Sequence, residues 1–154
     1  MLIEAWRKIH QQLPGWQLHL AGAGSEHAAL TAQARDLPSV KLLGWIPNAW
    51  PLYQQATMFV LSSRYEGFPV ALVEALSQGC PSIATRCTEA TQRPPLSPAL
   101  QLVDTESSDQ LASAILKLAQ QPDLRKQISI SSIQASSEFH WDKIGPLWDQ
   151  LLHN

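Results

Sequence analysis

Two glutamates have surroundings that call for a ligand. Glu74 is the only ionisable side chain in the run Val70-Ala71-Leu72-Val73-Glu74-Ala75-Leu76. A carboxylate among Val, Ala and Leu incurs a desolvation cost of several kcal/mol unless something hydrogen-bonds to it, and the hydroxyl groups of a ligand are well suited to that. A Glu on the one exposed strip of a helix satisfies the same segment without a ligand, so both readings stand. Glu66 lies in the turn Arg64-Tyr65-Glu66-Gly67-Phe68-Pro69 just before that run. Gly67 lets backbone approach a ligand closely, and amides at a helix start receive phosphate oxygens. Pro69 has no amide hydrogen, which leaves Gly67, Phe68 and Val70 as the candidate donors. An acid at the positive end of a helix is also favourable with no ligand at all. Arg64 lies close enough in sequence to meet phosphate, although its position alone fits a surface arginine equally well.

Other polar residues offer less. Histidines 10, 19, 27, 140 and 153 show no ligand spacing, so no metal site is expected. Gly22-Ala23-Gly24 resembles the start of a dinucleotide loop, but His27 stands where the third glycine belongs, which argues against a nicotinamide cofactor. Cys80 and Cys87 fit neither a disulfide framework nor a CxxC site and read as free thiols, Cys80 as core packing. With a formal net charge of −2 and no run of like charges, the chain lacks the basic stripe of a nucleic-acid or anionic-membrane binder. No segment has the length of a membrane span and the start has no leader pattern, so a cytoplasmic protein without direct membrane insertion is expected.

The elements that must position these residues alternate. The 154 residues, 45% hydrophobic, suit one domain. Leu2, Ala5, Trp6, Ile9 and Leu13 mark an amphipathic helix ending near Pro14-Gly15, and Trp16 to Ala21 reads as a strand closing at Gly22. Ser25 is placed to cap a helix running to about Asp36, followed by a strand over 40–45 and a short helix over 49–55. Met58-Phe59-Val60-Leu61 is apolar at every position, as strands buried on both faces of a parallel sheet are. A helix over 69–78 with Gly79 at its C-terminal cap leads to a strand at Ser82–Thr85. Pro94, Pro95 and Pro98 read as one irregular loop before a last strand, 100–103. Helices follow from about Ser107 to Asn154. Pro122 opens one of them, Gly145-Pro146 delays the start of the final one, and Trp141 and Trp148 act as anchors into a core or a neighbouring domain. The fold class is therefore α/β with a mainly parallel sheet of about five strands, whose ligands bind beyond the carboxyl ends of the strands.

The stretch Phe59-Val60-Leu61-Ser62-Ser63-Arg64-Tyr65-Glu66-Gly67-Phe68-Pro69 through Leu76, with Gly79-Cys80-Pro81-Ser82-Ile83-Ala84-Thr85, resembles the signature of the family 4 retaining glycosyltransferases. Leu20-Ala21-Gly22-Ala23-Gly24, Val40 to Gly44, Tyr53-Gln54-Gln55-Ala56, Leu111 to Ile115 and Phe139-His140-Trp141 extend the likeness over nearly the whole chain. The resemblance implies the C-terminal, donor-binding half of a GT-B fold, in which two Rossmann-like domains face a cleft and a nucleotide-diphosphate sugar binds without a tightly held metal. It implies that Glu74 binds the ribose hydroxyls and that Glu66, the catalytic residue, touches the donor sugar near the reacting carbon and stabilises developing positive charge there. Gly67, Phe68 and Val70 would meet sugar and phosphate, Ile46 would flank the nucleobase, and Gly22 would line the cleft. The reaction implied is sugar transfer with retention to a glycan, lipid or protein acceptor.

The chain departs from that pattern twice. Relatives carry a Gly-Gly pair and an acid after the strand at Ser82–Thr85, where this chain has Arg86-Cys87-Thr88-Glu89-Ala90-Thr91, so either the loop takes another route or the sugar pocket is altered. The family's first strand, with an Arg and a Lys for the diphosphate, would precede Met1, as would the acceptor domain. A partial domain is therefore expected, inactive alone and completed by an N-terminal half or partner chain, with the first strand's place left as a gap or closed by direct pairing. The alternative is a truncated or degenerate non-catalytic nucleotide-sugar-binding domain acting with a partner.

Overall fold

A computed structural model describes residues 1–153, so Asn154 at the end of the expected domain lies outside them. The chain opens with α1 (Leu2–Ile9), continued by a 3-10 turn over His10–Gln12, then β1 (Leu18–Ala21), α2 (His27–Gln33) and β2 (Val40–Gly44). Next come α3 (Trp50–Gln55), β3 (Phe59–Leu61), α4 (Val70–Ser77), β4 (Ser82–Thr85) and α5 (Glu89–Gln92). The last part holds β5 (Leu100–Val103), α6 (Ser108–Gln120), α7 (Pro122–Ser137) and α8 (Trp141–Leu152).

Local chemistry accounts for several boundaries. Gly79 ends α4 with φ +67°, a conformation side chains resist, and a Cβ there would lie 3.1 Å from Ser129 Oγ and 3.2 Å from Ile133 Cδ1. Its lack of a side chain thus both closes α4 and lets α7 pack against it. Ser107 caps α6 by accepting from the Gln110 amide, and Pro122 sits in the first turn of α7.

Three expectations are corrected. Ser25 does not cap α2: Glu26 holds the cap position without a side-chain bond, and the helix stops at Gln33. The Pro-rich loop contains a 3-10 turn over Ser97–Ala99. Gly145-Pro146 does not delay α8, which starts at Trp141 and carries Pro146 inside. A Cβ on Gly145 would stand 3.1 Å from the Trp141 indole, so that ring lies on its own helix. Trp141 (74% exposed) and Trp148 (53%) therefore anchor nothing in this core.

All five strands are parallel, as expected, but they form two sheets, β1-β2 and β3-β4-β5. No strand among the described residues joins them, so the place between β1 and β3 is a gap. Helices cover both faces of the larger sheet. Val60, Ile83 and Val103 meet the α1 and α6 side, while Leu61, Ala84 and Leu100 meet Leu72 and Leu76 of α4 and Ala135 of α7. This is a three-layer Rossmann-like arrangement. The smaller sheet is covered on one face only: Leu18, Leu20, Val40 and Leu42 pack inward, while His19, Ala21, Lys41 and Leu43 face solvent. Helix α1 spans the two sheets. Trp6 Nε1 donates to Ser39 Oγ at 3.0 Å and Arg7 pairs with Asp36, whereas Lys8 reaches Ser108 Oγ at 2.8 Å and Asp109 at 2.6 Å.

Candidate functional site

The residues singled out for chemistry lie at or beyond the carboxyl ends of β1, β2 and β3, or on the helix after β3, where an open parallel sheet binds ligands. Glu66 is half-buried, and its Oε1 accepts from Ser63 Oγ at 2.7 Å. The Ser63 backbone is fixed in turn, because the buried Thr85 hydroxyl donates to its carbonyl at 2.6 Å. Thr91, also fully buried, donates to the carbonyls of Thr88 at 2.9 Å and Thr85 at 3.3 Å. Buried hydroxyls so bound cannot swing, and they hold the ends of β3 and β4 and the start of α5 together behind Glu66.

Glu74 is half-buried on α4, and its Oε2 accepts from the Tyr53 hydroxyl at 3.2 Å. The bare exposed-strip reading therefore does not describe it. Tyr53 is buried on α3 and stands edge-on to Phe59 with ring centroids 5.5 Å apart. Burial, and then the neighbouring Glu74 charge, push its phenol up to about 12. Neither glutamate pairs with a cation among the described residues, where the salt bridges use Asp36, Asp104, Asp109, Glu89, Glu106 and Glu138.

The candidate amides divide. Gly67 and Phe68 are exposed, and Phe68 packs edge-on against Phe139. The Val70 amide donates to the Phe68 carbonyl at 2.9 Å, which removes it from the set of free donors. Arg64 is 84% exposed and pairs with Glu106 at 3.0 Å, an ion pair of little energetic weight. Gly22 has φ +132° with open space around it, and its amide donates to the Gly44 carbonyl at 2.7 Å. Ile46 follows two residues after Gly44 and is half-buried. The segment in place of the glycine pair folds as α5, with Cys87 and Thr91 turned into the core. A concavity of about 310 Å³ lies between Phe68, Phe139, α5 and Pro94-Pro95, with the Glu89–Arg93 pair on its lining.

Sequence reasoning passed over Tyr53, Ser63, Thr85 and Thr91 as site residues. Polarity returning at Ser62-Ser63 after an apolar strand marks the turn, but nothing in the order of residues says that Tyr53 meets Glu74. Among the described residues no three His, Cys, Asp or Glu gather as a metal site, and no helix is long and apolar enough to cross a membrane.

A split parallel sheet under two helical layers, with cation-free carboxylates beyond its third strand and on the following helix, defines a Rossmann-like α/β domain. Residues 1–121 match the family of glycosyl transferases group 1, and the chain belongs to that family. It is 25% identical over 155 residues to an amylovoran biosynthesis glycosyltransferase of Erwinia amylovora, covering 99% of this chain and 43% of that protein. It is 34% identical over 101 residues to a lipopolysaccharide 1,6-galactosyltransferase of Escherichia coli, covering 56% of this chain and 28% of the relative. The chain thus spans less than half the length of these relatives. Among solved structures, the C-terminal domain of a glycosyl transferase group 1 protein from Francisella tularensis superposes with TM-score 0.75 at 21% identity, over 88% of this chain and 75% of that one. A pneumococcal O-GlcNAc transferase, solved with UDP and GlcNAc, superposes with TM-score 0.81 at 22% identity, over 99% of this chain and 32% of that one. The fold is that of the C-terminal, Rossmann-like half of GT-B glycosyltransferases.

Proposed function

We propose that the chain is the donor-binding half of a cytoplasmic family 4 glycosyltransferase that moves a sugar, with retention, from a nucleotide-diphosphate sugar to a glycan, lipid or protein acceptor. One observation carries the reading. Two half-buried carboxylates, Glu66 beyond β3 and Glu74 on α4, each hold a single neutral hydroxyl donor and no cation among the described residues, so both keep acceptor capacity for ligand hydroxyls. In this reading Glu74 accepts from ribose and Glu66 faces the donor sugar near its reacting carbon, where its charge offsets developing positive charge. The Gly67 and Phe68 amides meet phosphate, and Gly22 and Ile46 line the base side. Acceptor binding belongs to an N-terminal half or partner chain. The lack of backbone pairing between the β1-β2 and β3-β4-β5 sheets supports that division.

A thermal-shift panel of nucleotide-diphosphate sugars tests the proposal. Specific ligands raise the melting temperature in proportion to the logarithm of their concentration over Kd, and no shift with any of them at millimolar concentration sinks it. A second reading, a non-catalytic nucleotide-sugar-binding domain, draws on α5, whose side chains stand where relatives bring glycine backbone to the sugar. Binding without turnover, even when a complementary half is supplied, would favour it.

A further inference from the structure

We infer that Tyr53 is a positioning residue that presets the Glu74 carboxylate and so lets the site discriminate ribose from 2′-deoxyribose. The inference rests on the donor-binding reading of Glu74.

The geometry begins with what holds the phenol. Tyr53 is 8% exposed, its ring edge-on to Phe59 and packed with Ala75, Cys80 and Ala49. Such a ring has no alternative rotamer space, so its hydroxyl is a fixed point. Glu74, in contrast, has a flexible side chain on the half-buried side of α4, and its Oε2 is tied to that fixed point. One immobile donor on one oxygen sets the plane of the carboxylate. Oε1 and the second lone pair of Oε2 then point in defined directions for two vicinal hydroxyls. The donor is neutral, and a phenol pushed up to about 12 by burial and the neighbouring Glu74 keeps its proton to donate over the whole physiological range.

Tyr53 also joins two parts of the site. Helix α3 begins just after the loop that carries Ile46, and Tyr53 fastens that helix to α4, where Glu74 sits. The base-side loop and the ribose-side carboxylate therefore share one rigid strut. A purely structural staple would hold α3 in place equally well, but it would not care which hydroxyls the nucleotide carries.

That difference gives the test. UDP, GDP and ADP, each with its 2′-deoxy counterpart, are titrated by calorimetry into the 154-residue chain and into its Tyr53→Phe variant, which keeps the buried ring. Loss of the fixed hydrogen bond should weaken binding of the preferred ribonucleotide about 3- to 10-fold. The 2′-deoxy form, which already lacks one partner of the carboxylate, should change less than about twofold, so that the ribose preference contracts by the quotient of the two effects. An unchanged ribose preference, whether both affinities fall together or neither moves, overturns the inference while leaving the donor-binding reading intact. If the unmodified chain binds none of the six nucleotides, the donor-binding reading itself fails and this role falls with it. The melting temperature of Tyr53→Phe serves as the folding control.

Discussion

Glu74 is half-buried and its carboxylate accepts from the Tyr53 hydroxyl, and the first prediction belongs to it. Replacing it with Gln should weaken nucleoside-diphosphate binding by roughly 1.5–3 kcal/mol, the range for a hydrogen bond to a charged group. Calorimetry that finds the affinity unchanged would detach Glu74 from the ligand. A second prediction concerns alkaline pH. Burial raises the Cys80 thiol from 9.0 to about 11, and burial with Glu74 raises Tyr53 from 10.0 to about 12. Both folded values lie above the unfolded ones, so the folded chain holds these protons longer. Stability is intact below pH 9 and falls as pH rises through 9 to 12. In Cys80→Ala the decline should start about one pH unit later, when Tyr53 alone remains, as urea midpoints between pH 8 and 11.5 would show. The two glutamates were legible in the sequence because an acid in an apolar run needs a reason. The Tyr53 partner of Glu74 was not, since it lies 21 residues away, and neither was the Thr85 hydroxyl that braces the Ser63 carbonyl across 22, although Ser63 itself stands only three residues from Glu66. Only tertiary packing makes those pairs.

At the scale of elements, the α4–α7 contact turns on Gly79. An alanine there must adopt φ near +67° and push its Cβ against Ser129 and Ile133, so Gly79→Ala should destabilise the chain by about 1–2 kcal/mol. Urea unfolding measures it, and an unaltered midpoint would mean that the turn relaxes without loss. The strands and most helices could be read from periodicity, because apolar spacing, Gly79, Ser107 and Pro122 act locally. The start of α8 went astray although its cause is local, since Gly145 leaves room for the Trp141 indole one turn earlier on the same helix and Pro146 is carried inside it. The split of the sheet carries a further expectation. β1 and β2 have one bare face and no partner across the gap, so their amides should lose hydrogen-exchange protection before those of β4, which is buried on both sides. Equal protection for Leu20 and Ala84 would show that the two sheets open as one unit.

For the whole molecule, on the proposed reading the chain supplies the donor side of a reaction that also needs an acceptor held against the sugar, and such positioning accounts for roughly 7–11 kcal/mol of barrier reduction. The 154-residue chain by itself should therefore give no transfer product detectable by mass spectrometry, and turnover should require a complementary half. Product from the chain alone, lost in Glu66→Ala, would refute that division of labour. The seam between β1 and β3 also gives the domain a mechanical character. A hydrogen-bonded sheet resists shear in its own plane, whereas here side-chain packing, the ties of α1 and the α3–α4 hydrogen bonds of Tyr53 and Gln54 cross the line. Gly22 and Ile46 ride on one plate, Glu66 and Glu74 on the other. A nucleotide sugar touching all four would act as a further rivet through both plates, so the complex would be stiffer along that line than the polypeptide's own ties make it.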